Sequence, residues 1–532
     1  MTRPEWTLEW TWGGERGLDV VDVAWTESVA LFGGAAAYRR ADLTLVLRFD
    51  VAAHANAVHP RYATGILRRG SRIVLAGPWR GVSYGAHVGG GSVVELSIAD
   101  DEADDRGTFP VVTPWRPTTA ATRFVVYNTS DGPAADFTWD DPAVRMVDHG
   151  PVDGWDGAAA NAPHDVDYRM PRSVFDALAE LTEGRGWPWP YGVGGTDTAP
   201  MTPAWVIDTN EDYLLIAGVQ VDCAEVTILG PSAANADVIA SVSGVSVLHA
   251  TTSDGRVYAY VDLTSLSATL MVDAIGFQHR WWVTWPNAGR PGGAGDVLID
   301  AYAASTLRVD LPAFEVARER LNRWKLAGYL DRSVTPSEWV RSQVLSIVPV
   351  SVVPGPAGLR PVLWPWLDGP DDTGRPLVDG QGIELVDPVR YEDGDEVGRV
   401  SFAYAVRADT GAPTLTAIAA APTTAYGASG PRRGVEDIES EVVWDTATAG
   451  ALAHARLRYQ GWGPRTIRAH ALDPRYDVGG DLELYAGDVV RLTSDRYGWT
   501  ERPAVVARIE RDALGTGMLE FWLRDDPLTG AG

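Results

Sequence analysis

The residues able to do chemistry are spread thinly along this chain. Its nine histidines, His54, His59, His87, His149, His164, His249, His279, His454 and His470, stand singly, none three or four positions from another. A helical metal pair needs that spacing. The lone cysteine, Cys223, permits neither an internal disulfide nor a thiolate zinc site. Phosphate-loop, nucleophile-elbow and paired-histidine zinc motifs are all missing. Two acidic runs, "DDEADDRG" (100–107) and "YEDGDEVG" (391–398), lack the ligand spacing of a calcium loop and read as solvated turns. A carboxylate pair for glycoside hydrolysis is defined by separation in space, so 71 acids single out none. The expectation is a protein that is not an enzyme, with no catalytic, cofactor-binding or metal residues and no cofactor.

Tryptophan is the exception, with 22 copies. "HRWWVTWP" gathers Trp281, Trp282 and Trp285, and "GWPWPYG" adds Trp187 and Trp189. Exposed, such rings could stack on sugars, which makes Trp281, Trp282 and Trp285 the candidate carbohydrate contacts. Buried, they would fill a core or an interface, where tryptophan is equally at home.

A formal charge of −26 and the absence of any Lys/Arg cluster speak against sequence-specific binding of nucleic acid. The first residues, "MTRPEWTLEWTWGGERG", lack the basic and apolar regions of a secretory signal, and no run approaches 18 apolar residues. Synthesis and folding in the cytosol are the expectation.

These residues must be held by many short strands. At 532 residues, 45% hydrophobic, with 56 glycines and 35 prolines punctuating short apolar runs, the chain reads as a mainly β, multidomain protein with a few helices. "ADLTLVLRFDV", "SRIVLAG" and "SVVELSIADD" alternate as half-buried antiparallel strands. "MPRSVFDALAELTEGRG" has a helical stripe, and "GWPWPYGVGG" reads as a linker after it. β-rich runs from about 200 to 286 suggest a separate small domain, closed by a flexible "NAGRPGGAGD". "LPAFEVARERLNRWKLAGYL" places Phe314, Ala317, Leu321 and Trp324 on one helical face. Thr335, Pro336 and Glu338 form a capping box, and Asp445 caps a further helix running to about Gln460. Val400, Phe402, Tyr404 and Val406 share one strand face, as do Leu519, Phe521 and Leu523.

One phrase occurs near both ends. Leu67-x-x-Gly70-x-x-Ile73-x-Leu75 matches Leu484-x-x-Gly487-x-x-Val490-x-Leu492, and "VVELSIADD" and "MLEFWLRDD" follow as alternating strands ending in two aspartates. The reading is two similar antiparallel β barrels, with "LELYAGDVVRL" as two short strands around an Ala486-Gly487-Asp488 turn.

These features resemble the tail hub (baseplate hub) proteins of tailed bacteriophages and gene transfer agents. The resemblance is strongest over "GRVSFAYAV", "TATAGALAHARLRYQGWG", "LELYAGDVVRLTSD" and "GMLEFWLRDD", within about 396–526, and weaker over 1–105. It implies tail-tube-like barrels at 1–110 and 381–532, the latter with one helix. Between them it implies a connecting α+β region at 111–195, an inserted small β domain at 196–296 and a helical connecting domain at 297–380. It further implies a homotrimeric virion protein at the distal tail tip, whose six barrels adapt a hexameric tail tube to a threefold tip. Its partners would be the tail-tube or distal tail protein, the tape-measure protein, spike or fibre proteins, and DNA passing through the lumen. Two other functions fit the residues: a receptor-binding protein recognising host glycans through the central β domain, and a glycoside hydrolase.

Overall fold

A computed structural model describes six strands within 6–99, three short strands within 124–171, and residues 185–523 apart from 193–200, 207–212, 252–256, 271–280, 287–291, 365–373, 392–396, 421–433, 461–464 and a few shorter gaps. The fold is mostly β, in several sheets, with few helices.

The first six strands are β1 (Trp6–Trp10), β2 (Leu18–Ser28), β3 (Arg40–Leu47), β4 (Thr64–Arg69), β5 (Arg72–His87) and β6 (Gly91–Ala99). They close into a ring in the order β1-β4-β5-β6-β3-β2 and back to β1, every ladder antiparallel. Closure gives every strand of the ring two neighbours over part of its length, and a small ring is filled by its own side chains. Leu8 and Leu67, opposite one another, are fully buried.

Phe124–Val126, Val144–Asp148 and Met170–Pro171 form a small sheet. Pro171, expected to open a helix, pairs as a strand with Val144, and 172–184 lie outside the described residues. The expected linker is also a strand: Arg185–Tyr191 pairs with Gly328–Arg332.

A seven-stranded antiparallel sheet follows, made of β7 (Met201–Val206), β8 (Tyr213–Ala217), β9 (Glu225–Ser232), β10 (Asn235–Ser246), β11 (Leu248–Thr251), β12 (Val257–Asp262) and β13 (Trp281–Thr284). Their order is β10-β9-β13-β7-β8-β12-β11.

The stretch expected to be flexible opens a helix, α1 (Ala294–Ala303), which packs on α2 (Leu311–Leu321). Its glycines are there for contact: a Cβ on Gly295 would stand 2.7 Å from the Arg318 carbonyl oxygen, and one on Gly293 would overlap Asn322. Phe314, Ala317 and Leu321 are buried on one face of α2, as their spacing predicts, whereas Trp324 lies beyond the end of the helix and joins the same core from there. Thr335 caps the short helix α3 (Pro336–Trp339), its Oγ1 accepting from the Glu338 amide at 3.3 Å, and the coil continues as a π-helical turn over Val340–Leu345. A hairpin, β14 (Val350–Gly355) and β15 (Gly358–Leu363), comes next.

The last third divides in two. Strands β16 (Arg375–Asp379) and β17 (Gly382–Leu385) belong to a second ring. Then β18 (Val397–Arg407), β19 (Ala412–Ala420) and β20 (Gly434–Glu439) make their own three-stranded sheet, covered by α4 (Thr446–Gln460). The strand read as part of the barrel, β18, therefore sits beside it. Its alternation holds for Val400, Phe402 and Tyr404 and breaks at Ala405, a buried residue with φ +58°, after which Val406 is half-buried. Asp445 caps α4, accepting from the Thr448 amide at 2.7 Å.

The chain returns to the second ring with β21 (Arg465–Ala471), β22 (Val489–Ser494), β23 (Trp499–Asp512) and β24 (Gly515–Leu523). Ladders β16–β22, β22–β23, β23–β24, β24–β21, β21–β17 and β17–β16 close it. Each of the six strands gives it core side chains: Leu377, Ile383, Ile467, Val490, Val506 and Phe521 are all at most 1% exposed. Burying each such side chain contributes about 1.5–3 kcal/mol.

Candidate functional site

Numbered one to six in chain order, the strands of both rings wind 1-4-5-6-3-2. The correspondence extends to single residues. Glu95 in β6 stands opposite Thr44, and Glu520 in β24 opposite Arg468, which donates to it at 3.1 Å. The fifth strand of each ring is long, serves the fourth with its near part and the sixth with its far part, and has a register shift near the start of the ladder to the sixth: Trp79/Gly81 in β5, Val506/Arg508 in β23. The rings differ at strand one, which is antiparallel to both neighbours in the first ring and parallel to both in the second.

The rings are also joined. The outer edge of β2 pairs with the far half of β23, so that Ala24, Trp25, Thr26, Glu27 and Ser28 face Asp512, Arg511, Glu510, Ile509 and Arg508. Two closed rings thus become one continuous 13-stranded sheet. This joint is the candidate functional site, because a lateral edge-to-edge contact between like units is how a larger ring is built. No local motif foretold it, since a ladder between positions so far apart in sequence leaves no periodicity to read.

The repeated phrase is corrected by this geometry. Leu67 lies in strand four of its ring, whereas Leu482–Tyr485 is not a strand and leads into strand four of the other. The phrases occupy neighbouring, not equivalent, places. The two closing strands, β6 and β24, are equivalent.

The late phrase instead clamps the second ring. Gly487, at φ +89°, donates to the Val506 carbonyl at 2.7 Å, and the Asp488 carbonyl accepts from the Val506 amide at 2.9 Å. The Asp488 carboxylate accepts from the Tyr485 amide at 3.0 Å and pairs with Arg360 of the β14–β15 hairpin. Arg511, in the joint ladder and 2% exposed, donates to the Leu484 carbonyl at 2.6 Å. Trp364 meets Tyr459 edge-on at 4.5 Å between ring centroids and Tyr459 stacks on Trp522 at 5.8 Å, tying the hairpin's end and α4 to the outside of β24.

The tryptophans do not present a sugar platform. Trp281 and Trp285 are each 2% exposed inside the small β domain, and Trp282 packs into the helical core on the other side of β13. Trp285 Nε1 donates to the buried Thr202 hydroxyl at 2.8 Å. Both faces of this strand are covered by protein, so the three rings serve packing. The acidic run at 100–107 and positions 392–396 lie outside the described residues, and among the described residues no three His, Cys, Asp or Glu side chains gather as metal ligands.

No family model and no curated protein matches this chain. Among solved structures it is similar to the 43 kDa tail protein of prophage MuSo2 from Shewanella oneidensis, at 11% identity and TM-score 0.37, over 98% of this chain and 99% of that one. A tail protein from Neisseria meningitidis aligns at 11% identity and TM-score 0.35, over 98% and 97%. A chain of a native gene transfer agent virion aligns at 14% identity and TM-score 0.41, over 66% of this chain and 87% of that one.

Proposed function

We propose that this protein is a structural component of a phage-like tail, a hub at the distal end of the tube. There, three copies present six ring-shaped units to a sixfold neighbour and a threefold face to the tip. The observation that carries this reading is the pair of closed six-stranded rings with one winding order, held side by side within one chain. A chain that doubles one building block and fixes the two copies in lateral contact supplies two of the six positions of a ring, so three chains complete it. The chain's net charge of −26 suits a channel that lets DNA pass without holding it.

Two measurements test the reading. Light scattering should give three times the 57.3 kDa chain mass. Gold labelling of a particle carrying a tagged copy should mark the distal tail end. A label along the tube or on the head rejects the hub.

A further inference from the structure

Within the chain, the joint uses one flank of each ring: the outer edge of strand two from the first and the far half of strand five from the second. The equivalence of the rings identifies the two flanks left over. In the first ring, Ser83–His87 of β5 pair with β6 on one side, as Arg508–Asp512 of β23 pair with β24. In the second ring, β17 is continued along β21 by Arg390 and Tyr391, which face Thr466 and Arg465. Those positions correspond to Ala24 and Trp25, which face Asp42 and Ala41. Among the described residues, neither leftover edge has a ladder partner on its outer side.

We propose that these two edges pair between copies of this chain, so that the joint seen inside one molecule is repeated from one molecule to the next. Carried over position by position, Tyr391 of one copy stands opposite Ala86 of the next, as Trp25 stands opposite Arg511. Arg390 stands opposite His87, as Ala24 stands opposite Asp512. The contact is head-to-tail, which closes into a ring when the rotation permits. An exposed proline, Pro388, precedes the second edge by two positions and removes a ladder donor there. The joint between molecules is therefore shorter than the joint within one, and the edge is guarded against indiscriminate strand pairing. This inference rests on the hub reading and names the surface through which its copies meet.

The full-length chain with Ala86→Cys is mixed with the full-length chain carrying Tyr391→Cys, under mild oxidation. Directly opposite antiparallel residues hold their Cβ atoms about 4.5–5.5 Å apart, close enough to bridge with a small adjustment. The native thiol, Cys223, is buried and stays silent. The expected result is a covalent band at twice the 57.3 kDa chain mass from the mixture and none from either variant alone, with the double variant giving a covalent trimer. His87→Cys with Arg390→Cys should behave alike, and the slipped pair Ala86→Cys with Arg390→Cys should lose most of the product. A chain that trimerises by light scattering without these cross-links overturns the ladder and leaves the hub reading standing. Cross-linking of one variant to itself overturns the head-to-tail arrangement, and a chain that stays monomeric at every concentration overturns both proposals.

Discussion

Trp25 of the first ring stands directly opposite Arg511 of the second, in the middle of a ladder that makes two closed barrels one sheet. Arg511 also reaches the Leu484 carbonyl, so the joint and the clamp of the second ring share a residue.

The joint is expected to be part of the stable core. Glu510 pairs with Thr26 across the joint and with Met518 inside the ring, so Glu510→Pro removes a donor from one ladder or the other. A destabilisation of about 1–3 kcal/mol is expected from the orphaned acceptor. Hydrogen exchange should accelerate over 24–28 as well as over 508–512. Acceleration confined to the second ring would show that the joint is not coupled to it.

Gly487 is required by its conformation and by its neighbours. Its φ is +89°, and an added Cβ would meet Val362 at 3.1 Å. Gly487→Ala should lower stability by about 1–2 kcal/mol for the left-handed backbone, plus a packing penalty. Gly498 at φ +65° has no atom within 4 Å of such a Cβ, so Gly498→Ala should cost less. Paired urea titrations separate the two contributions.

Asp488 does two jobs, and two substitutions should divide them. Asp488→Asn keeps an oxygen for the Tyr485 amide and loses the charge facing Arg360. Asp488→Ala loses both. Both partners are partly buried, so the alanine variant should cost about 1–3 kcal/mol, with the asparagine variant between it and the native chain. A double-mutant cycle with Arg360→Ala should return a coupling of about 0.5–3 kcal/mol.

The tryptophans predict a stability phenotype. Trp285→Phe leaves the buried Thr202 hydroxyl without its indole donor and should cost about 1–3 kcal/mol in chemical denaturation. Native stability with selective loss of glycan binding would contradict the packing role.

Asp473 carries a pH signature. Its side-chain hydrogen bonds with Arg475 hold its carboxyl below the usual 3.8, with the Arg475 amide adding to the effect. A carboxyl depressed on folding contributes stability above its unfolded value and loses it as pH falls through the folded one, here below 3.8. Arg475 is largely exposed and solvent screens the pair, so the signal to follow is the titration. Arg475→Ala should return the Asp473 carboxyl resonance to the ordinary range.

Local rules were legible where one turn or one face decides the outcome. Thr335 and Asp445 cap helices as their spacing predicts, and Leu519, Phe521 and Leu523 alternate into the second ring. The misreadings came where tertiary packing overrides composition. The glycines at the start of α1 suggest flexibility by composition, but Gly293 admits Asn322 and Gly295 admits Arg318 to the helix. The proline- and tryptophan-rich run over 186–191 was read as a linker because prolines suggest loops, yet an edge strand tolerates them. Trp281, Trp282 and Trp285 looked like a platform, since adjacency in sequence does not reveal that both faces of β13 are covered. The joint was the least legible feature, because the residues that form it lie near opposite ends of the numbering.

That distance has a consequence for biosynthesis. The first barrel draws all its strands from a short local span and can close early on the ribosome, whereas Ala24 must wait for Asp512 to be translated. Until the last stitch is made, the nascent chain displays a bare strand edge, and crowded polysomes would be the place where neighbouring molecules exchange it by mistake.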